Sequence, residues 1–140
     1  MFVVENRQKA AAVDTAGLRA ALDLLPALPS GAPVTVGVIL VGQRCIKGLN
    51  RRFLKKNSGT DILSFRVSRG YGELIISAET AAAQAAEYGH TTESELIYLV
   101  IHGVLHLAGG RDYTPAEYRA MKKTQDGIFK KWKESAKPIS

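Results

Sequence analysis

The chain is poor in the features that would take it out of the cytoplasm or into a membrane. A lone cysteine, Cys45, among 140 residues excludes a disulfide framework and suits a reducing compartment. No apolar run reaches the ~20 residues that a membrane helix requires. The opening Met1-Phe2-Val3-Val4-Glu5-Asn6-Arg7 lacks the basic-then-apolar pattern of a secretory signal. A cytoplasmic protein without membrane contact is therefore expected. There is no low-complexity tract and no internal repeat, and 46% hydrophobic residues is ordinary for one compact domain spanning 1–140. Acid is also in short supply: 13 Asp and Glu stand against 19 Lys and Arg, for a net charge of +6 that favours anionic partners. Histidine is scarcer still, with three in all.

Two of those three stand in one run, Ile101-His102-Gly103-Val104-Leu105-His106-Leu107-Ala108-Gly109-Gly110-Arg111-Asp112. The apolar positions around them, Leu96, Ile97, Leu99, Val100, Ile101, Leu105 and Leu107, read as a buried helix. Residues i and i+4 project from the same helical face, so His102 and His106 can grip one ion. Gly109 and Gly110 supply a helix stop, because glycine tolerates the left-handed conformation that closes a helix. The chain can then turn back and bring Asp112 to the same place. Two imidazoles and a carboxylate are a zinc ligand set that leaves one position open, the mark of a catalytic rather than a structural ion. Two core histidines bonded to backbone carbonyls would be the ordinary alternative. The coincidence of register, glycine stop and following acid favours metal, one zinc per chain.

What the ion does is narrowed by another absence. In His-Glu-x-x-His peptidases the Glu is the general base. Here Gly103 holds that position. Gly103 is expected to leave room beside the ion for a bulky anionic substrate.

The motif His102, Gly103, Leu105, His106, Leu107, Gly109 resembles that of the bacterial YbeY-type endoribonucleases. Leu49-Asn50, the block Thr60-Asp61-Ile62-Leu63-Ser64-Phe65 and the segment Gly72-Glu73-Leu74-Ile75-Ile76-Ser77 resemble further blocks of that family, in the same order. The likeness runs from about Leu49 to Met121. It implies a zinc-dependent nuclease that cuts single-stranded RNA in ribosomal RNA maturation and ribosome quality control. It implies RNA, a ribosomal RNA precursor, as partner, with small-subunit ribosomal proteins as further candidates. Two positions depart from the pattern. Asp112 stands where the family usually has a third His, which lowers the net charge of the ion and the acidity of its bound water. Leu54 stands where an Arg is usual, so Arg51, Arg52, Lys55 or Lys56 would have to take over any grip on phosphate.

Hydropathy and turn signals give an alternating pattern. Strands are expected at Phe2 to Asn6, Val34 to Val41, Ile62 to Val67 and Leu74 to Ser77, the last two joined by a turn around Gly70. Helices are expected from Asp14 or Thr15 to about Leu25, Gln43 to Leu54, Ala78 to Tyr88, Thr92 to Ala108 and Thr114 to Glu134. Pro26 to Pro33 and Lys55 to Gly59 are loops. Thr92-Glu93-Ser94-Glu95 looks like a capping segment. The product is a mixed α+β domain, a small mixed sheet of about four strands with helices packed around it and the metal site on a central helix.

Arg51, Arg52, Lys55 and Lys56 form a candidate phosphate-binding cluster, with Arg66 and Arg69 as a second basic group near the cleft. Thr60, Asp61 and Ser64 are candidate cleft residues through the family resemblance; from composition alone they read as turn or capping residues. Lys122, Lys123, Lys130, Lys131 and Lys133 read as the solvated face of the last helix, Trp132 as core, His90 as a surface loop residue, and Tyr113 as either packing or substrate contact. No general base stands out; Asp61 and Glu73 are weak candidates. The reading is a metal-dependent endoribonuclease. The rivals are a non-catalytic zinc protein that binds ribosomal RNA or a ribosomal protein, and a metallopeptidase-like hydrolase, which Gly103 argues against.

Overall fold

The structure is a computed structural model that describes residues 1–54 and 62–136, with Asn50, Phe53 and Leu54 described by their backbone only. Lys55, Lys56, Thr60 and Asp61 lie outside the described residues. The elements run β1 (Phe2–Asn6), α1 (Thr15–Leu22), β2 (Thr35–Val41), α2 (Gln43–Leu54), β3 (Ile62–Ser68), β4 (Tyr71–Ser77), α3 (Ala78–Tyr88), α4 (Thr92–Leu107) and α5 (Pro115–Ser135). The fold is mixed α+β, as expected.

The sheet order is β1-β2-β4-β3. β1 and β4 both pair with β2 in parallel, and β3 lies antiparallel to β4 at the edge. Alternation along β2 sends Val36, Val38 and Leu40 into one core with Leu18 and Leu22 of α1 and with Leu96, Ile97, Val100, Ile101 and Val104 of α4. The intervening Ile39 and Val41 join Leu63 and Ile46 of α2 on the opposite face. Both faces of β2 are thus covered, which is why its sequence is apolar without alternation. Each such side chain contributes about 1.5–3 kcal/mol on burial. Helix α4 is the hub: it touches β3, β4, α1, α3 and α5.

Beside one-residue shifts at ends of β2, β3, α4 and α5, three departures from expectation each have a local reason. Helix α1 stops at Leu22; Leu24 and Leu25 donate to Ala21 and Leu22 in tighter turns instead, since the residue before Pro26 is disfavoured in the helical region. Strand β4 begins at Tyr71 because Gly70, at φ +83°, completes a tight turn straight after Ser68 and Arg69. The cap of α4 is Thr91, whose hydroxyl accepts from the Ser94 N–H at 3.1 Å. Glu93 and Glu95 do fall in its first turn, but neither faces open solvent alone. Glu93 accepts from the N–H of Asp14, and Glu95, 2% exposed, meets His90 Nε2 at 2.7 Å.

Candidate metal centre

Helix α4 carries His102 and His106 through its last two turns and ends in a complete terminator. Gly109, at φ +102°, donates to His106 O, and Gly110 donates to Leu105 O. This is the six-to-one and five-to-two pattern in which a left-handed glycine satisfies the last carbonyls. Arg66 of β3 adds a guanidinium hydrogen bond to the Leu107 carbonyl and one at 3.3 Å to Gly31 O. Arg66 is therefore a clamp on the end of α4. Beyond the stop the chain reverses, and Thr114 caps α5 in a reciprocal box with Glu117. Asp112, between stop and cap, is brought back over the helix.

The three side chains converge. His102 Nε2 and His106 Nε2 are 3.1 Å apart, and Asp112 Oδ2 lies 3.5 Å from His106 Nε2 and 4.0 Å from His102 Nε2. Their ligand atoms all lie within 4.8 Å of one another. Zinc-to-ligand bonds of about 2.0–2.2 Å in a tetrahedron set donors roughly 3.3–3.5 Å apart, so the spacing suits one ion.

The rings are also aimed. Gln125 Nε2 donates to the Tyr98 carbonyl at 3.1 Å, which turns its Oε1 toward His102 Nδ1 at 3.1 Å. His106 Nδ1 lies 3.1 Å from the Gly110 carbonyl. Both acceptors require N–H at Nδ1, which leaves lone pairs on both Nε2 atoms. Two lone pairs facing at 3.1 Å repel unless a cation or proton lies between them. Outer hydrogen bonds of this kind fix tautomer and ring orientation at metal sites. The donor chemistry, two neutral imidazoles and a carboxylate, fits a divalent ion such as zinc.

Two grooves meet at this cluster. One is a trench of about 400 Å³ with three helical walls. Its floor is the α4 stripe Glu95, Tyr98, Leu99, His102; α3 supplies Gln84 and Tyr88, and α5 supplies Tyr118, Met121, Lys122 and Gln125. The other groove runs between the edge strand β3 and the end of α4, lined by Ser64, Phe65, Arg66, His106 and Tyr113 among others. Ile62 borders both.

The remaining sequence candidates fall as follows. Ser64 lies in the second groove beside His106, and Tyr113 shares it, with the Arg111 guanidinium 5.2 Å over its ring. Arg51 and Arg52 are exposed on α2, whose apolar side packs on the sheet face opposite α4. Arg51 lines a separate basic cleft with Arg44 and Lys47, one helical stripe of α2. Glu73 accepts from the Tyr71 hydroxyl at 2.8 Å and borders neither groove. Trp132 is core, as expected: its indole N–H donates to Ala21 O at 2.9 Å and its ring stacks on Phe129. Gly103 corrects an expectation. A Cβ there would fall 2.6 Å from Leu74 Cδ2 and 2.7 Å from Ile62 Cδ1, so the position faces the sheet and frees no space beside the candidate metal donors. Its smallness lets α4 lie close on β3 and β4. Sequence reasoning missed Gln125 and Glu95. Their signal was a polar residue inside an apolar stripe, Met121-Gln125-Phe129 in α5 and Glu95-Leu96-Ile97 in α4, with both groups at least 95% buried.

The family model described as Endoribonuclease YbeY matches residues 3–133. A protein of that name from Pelotomaculum thermopropionicum is 36% identical over 142 aligned positions, covering 91% of this chain and 93% of its own. Another from Roseiflexus sp. is 34% identical, covering 86% of this chain and 85% of its own. The solution structure of TM1509 from Thermotoga maritima is similar with a TM-score of 0.61 and 25% identity, covering 99% of this chain and 93% of that one. With the family model spanning nearly all of the chain and relatives above the level at which homology is secure, this chain belongs to the endoribonuclease YbeY family.

Proposed function

We propose that the chain acts as one zinc-dependent domain, an endoribonuclease that cuts single-stranded regions of ribosomal RNA precursors in ribosome maturation and quality control. The supporting observation is the placement of the His102, His106 and Asp112 donors where two grooves meet. A nuclease that cuts inside a strand needs room for the polymer on both sides of the reacting phosphate, and a donor cluster at a junction provides it.

His102, His106 and Asp112 would hold zinc, one per chain. Zinc held there supplies Lewis acidity toward a phosphodiester oxygen. Gln125 and the Gly110 carbonyl keep both imidazoles pointed inward, so little reorganisation is needed on binding. Arg66 keeps the end of α4 in place. Ser64 borders the path next to His106, while Arg51 and Arg52, with Lys55, Lys56, Thr60 and Asp61, are the proposed further RNA contacts. The net charge of +6 favours that polyanion over a neutral peptide. Among the described residues no helix is long and apolar enough to cross a membrane, and the proposed place of action is the cytoplasm, with small-subunit ribosomal proteins as proposed neighbours.

The test is a cleavage assay with zinc-free and zinc-loaded protein, wild type and His102→Ala, on structured RNA containing single-stranded loops and on casein. Zinc-dependent RNA cleavage lost in His102→Ala supports the reading. RNA binding without cleavage would leave the non-catalytic assembly factor, and casein cleavage would leave the peptidase.

A further inference from the structure

The trench beside the donor cluster is built in a regular way that the metal chemistry does not require. Its floor takes positions i, i+3, i+4 and i+7 of α4, from Glu95 to His102, a run of about 10 Å at 1.5 Å per residue. Tyr88 on α3 and Tyr118 on α5 stand on its two sides, 66% and 54% exposed. Seven residues along α4 from His102 the floor ends in Glu95, buried and held by His90, and Gln84 lines the trench from the α3 wall. Lys122 lies on the α5 wall, bonded to Asp126 and the Tyr98 hydroxyl.

Exposed aromatic faces beside a slot with hydrogen-bonding groups at its end are what single-stranded RNA recognition uses. Unstacked bases lie against aromatic rings and offer their edges to polar side chains. Resting on the nuclease reading above, we infer that this trench is a nucleobase subsite. It takes the base of a nucleotide adjoining the cut phosphate, stacked against Tyr118 and Tyr88, with its edge toward Gln84 on the α3 wall. His102 and Asp112 border the same trench, so a base seated there places its own phosphate at the donors. The substrate choice of the enzyme then includes a base preference at one position, set by residues that touch no metal.

The experiment uses zinc-loaded protein and a short single-stranded RNA with one cleavage position, alongside the same RNA made abasic at the nucleotide on either side. KM is measured for wild type, Tyr118→Ala, Tyr88→Ala and Tyr118→Phe, with zinc content as a control. Removing a base–aromatic stack reduces affinity by about tenfold or more. The expected result is a KM increase of that order for one of the two abasic RNAs with wild type. The same RNA should show no further increase with Tyr118→Ala, since the stack is already gone, while Tyr118→Phe behaves as wild type. Effects of the abasic site and of Tyr118→Ala that simply multiply, or Tyr118→Ala and Tyr88→Ala variants that leave KM unchanged, overturn the subsite while leaving the nuclease reading intact. If wild type cuts no RNA, the nuclease reading fails, and the same pairs are read as dissociation constants by fluorescence anisotropy. Non-additive loss there keeps the base subsite, and additive loss removes it. Cleavage of casein that is lost in Tyr118→Ala would assign the trench to a peptide side chain and also overturn it.

Discussion

His106 Nδ1 lies 3.1 Å from the carbonyl oxygen of Gly110, and the N–H of that same Gly110 closes the end of helix α4 on Leu105 O at 2.8 Å. One residue therefore ends the helix and orients a candidate metal donor on it. The corresponding role for His102 falls to Gln125, from a different helix.

Gln125→Ala should weaken zinc binding by about 10- to 100-fold, the usual effect of removing an outer partner of a metal-bound histidine. Gln125→Glu, which still offers an acceptor to Nδ1, should recover part of it while leaving the Tyr98 carbonyl without its donor. Competition against a chromogenic chelator measures both. Wild-type affinity in Gln125→Ala would show that packing alone holds the ring.

Asp112→Ala removes one of three protein donors and should lower zinc affinity markedly, whereas Asp112→His should keep or raise it. His90 is not placed to substitute for it: among the described residues the donor atoms that converge are those of His102, His106 and Asp112, and His90 is not one of them. Retention of wild-type zinc content after dialysis of Asp112→Ala against chelator would count against the ligand set.

Gly103→Glu restores the letter that His-Glu-x-x-His peptidases carry, yet it should yield no peptidase. The new side chain would be driven into Leu74 and Ile62, and an unpaired buried charge costs several kcal/mol. The expected outcome is a thermal midpoint lowered by more than ten degrees, or insoluble protein, with no casein cleavage. A stable variant with normal zinc content would mean that the position opens to the cleft after all.

Tyr98 should ionise well above the usual phenol range. Its burial, followed by the 2.6 Å hydrogen bond to Asp126, pushes the phenol up to about 12. A folded value above the unfolded one, about 10, means that the protonated phenol stabilises the fold. That contribution is complete below pH ~10 and is lost as pH rises toward 12. Ultraviolet titration of wild type against Tyr98→Phe should show one fewer phenol in the highest step and a shallower fall of stability at alkaline pH.

Much of this was legible from the order of residues, and the boundary lies where information becomes non-local. Strand β1, helix α2 and helix α3 run between the residues that their hydropathy and turn signals indicate. The spacing of His102 and His106, followed by a glycine stop and Asp112, was enough to foresee the cluster, because each link is local: helix period, left-handed glycine, short reversal. Gln125 was not foreseen, since its contact with His102 spans 23 residues and depends on how α5 lies across α4. Gly103 was misjudged for a related reason. Periodicity shows that a position shares a helix with His102 and His106, but only the packed neighbours show which way it points. The tyrosines of the trench likewise come from three helices that no linear spacing connects.

A donor set hung on a helix terminator also has a dynamic consequence. The last turn of a helix is where local opening is least costly, and here opening would separate His106 from both Gly110 and Asp112. Ligand capture and the closing of that turn then draw on one equilibrium, so occupancy of the cluster should suppress fraying by its own binding free energy. Amide hydrogens of Gly109 and Gly110, which close the turn on His106 and Leu105, should exchange more slowly in zinc-loaded protein than in chelator-treated protein, while those of the central strand β2 stay unchanged. The end of α4 is in this sense a latch whose set point is the local concentration of the ion.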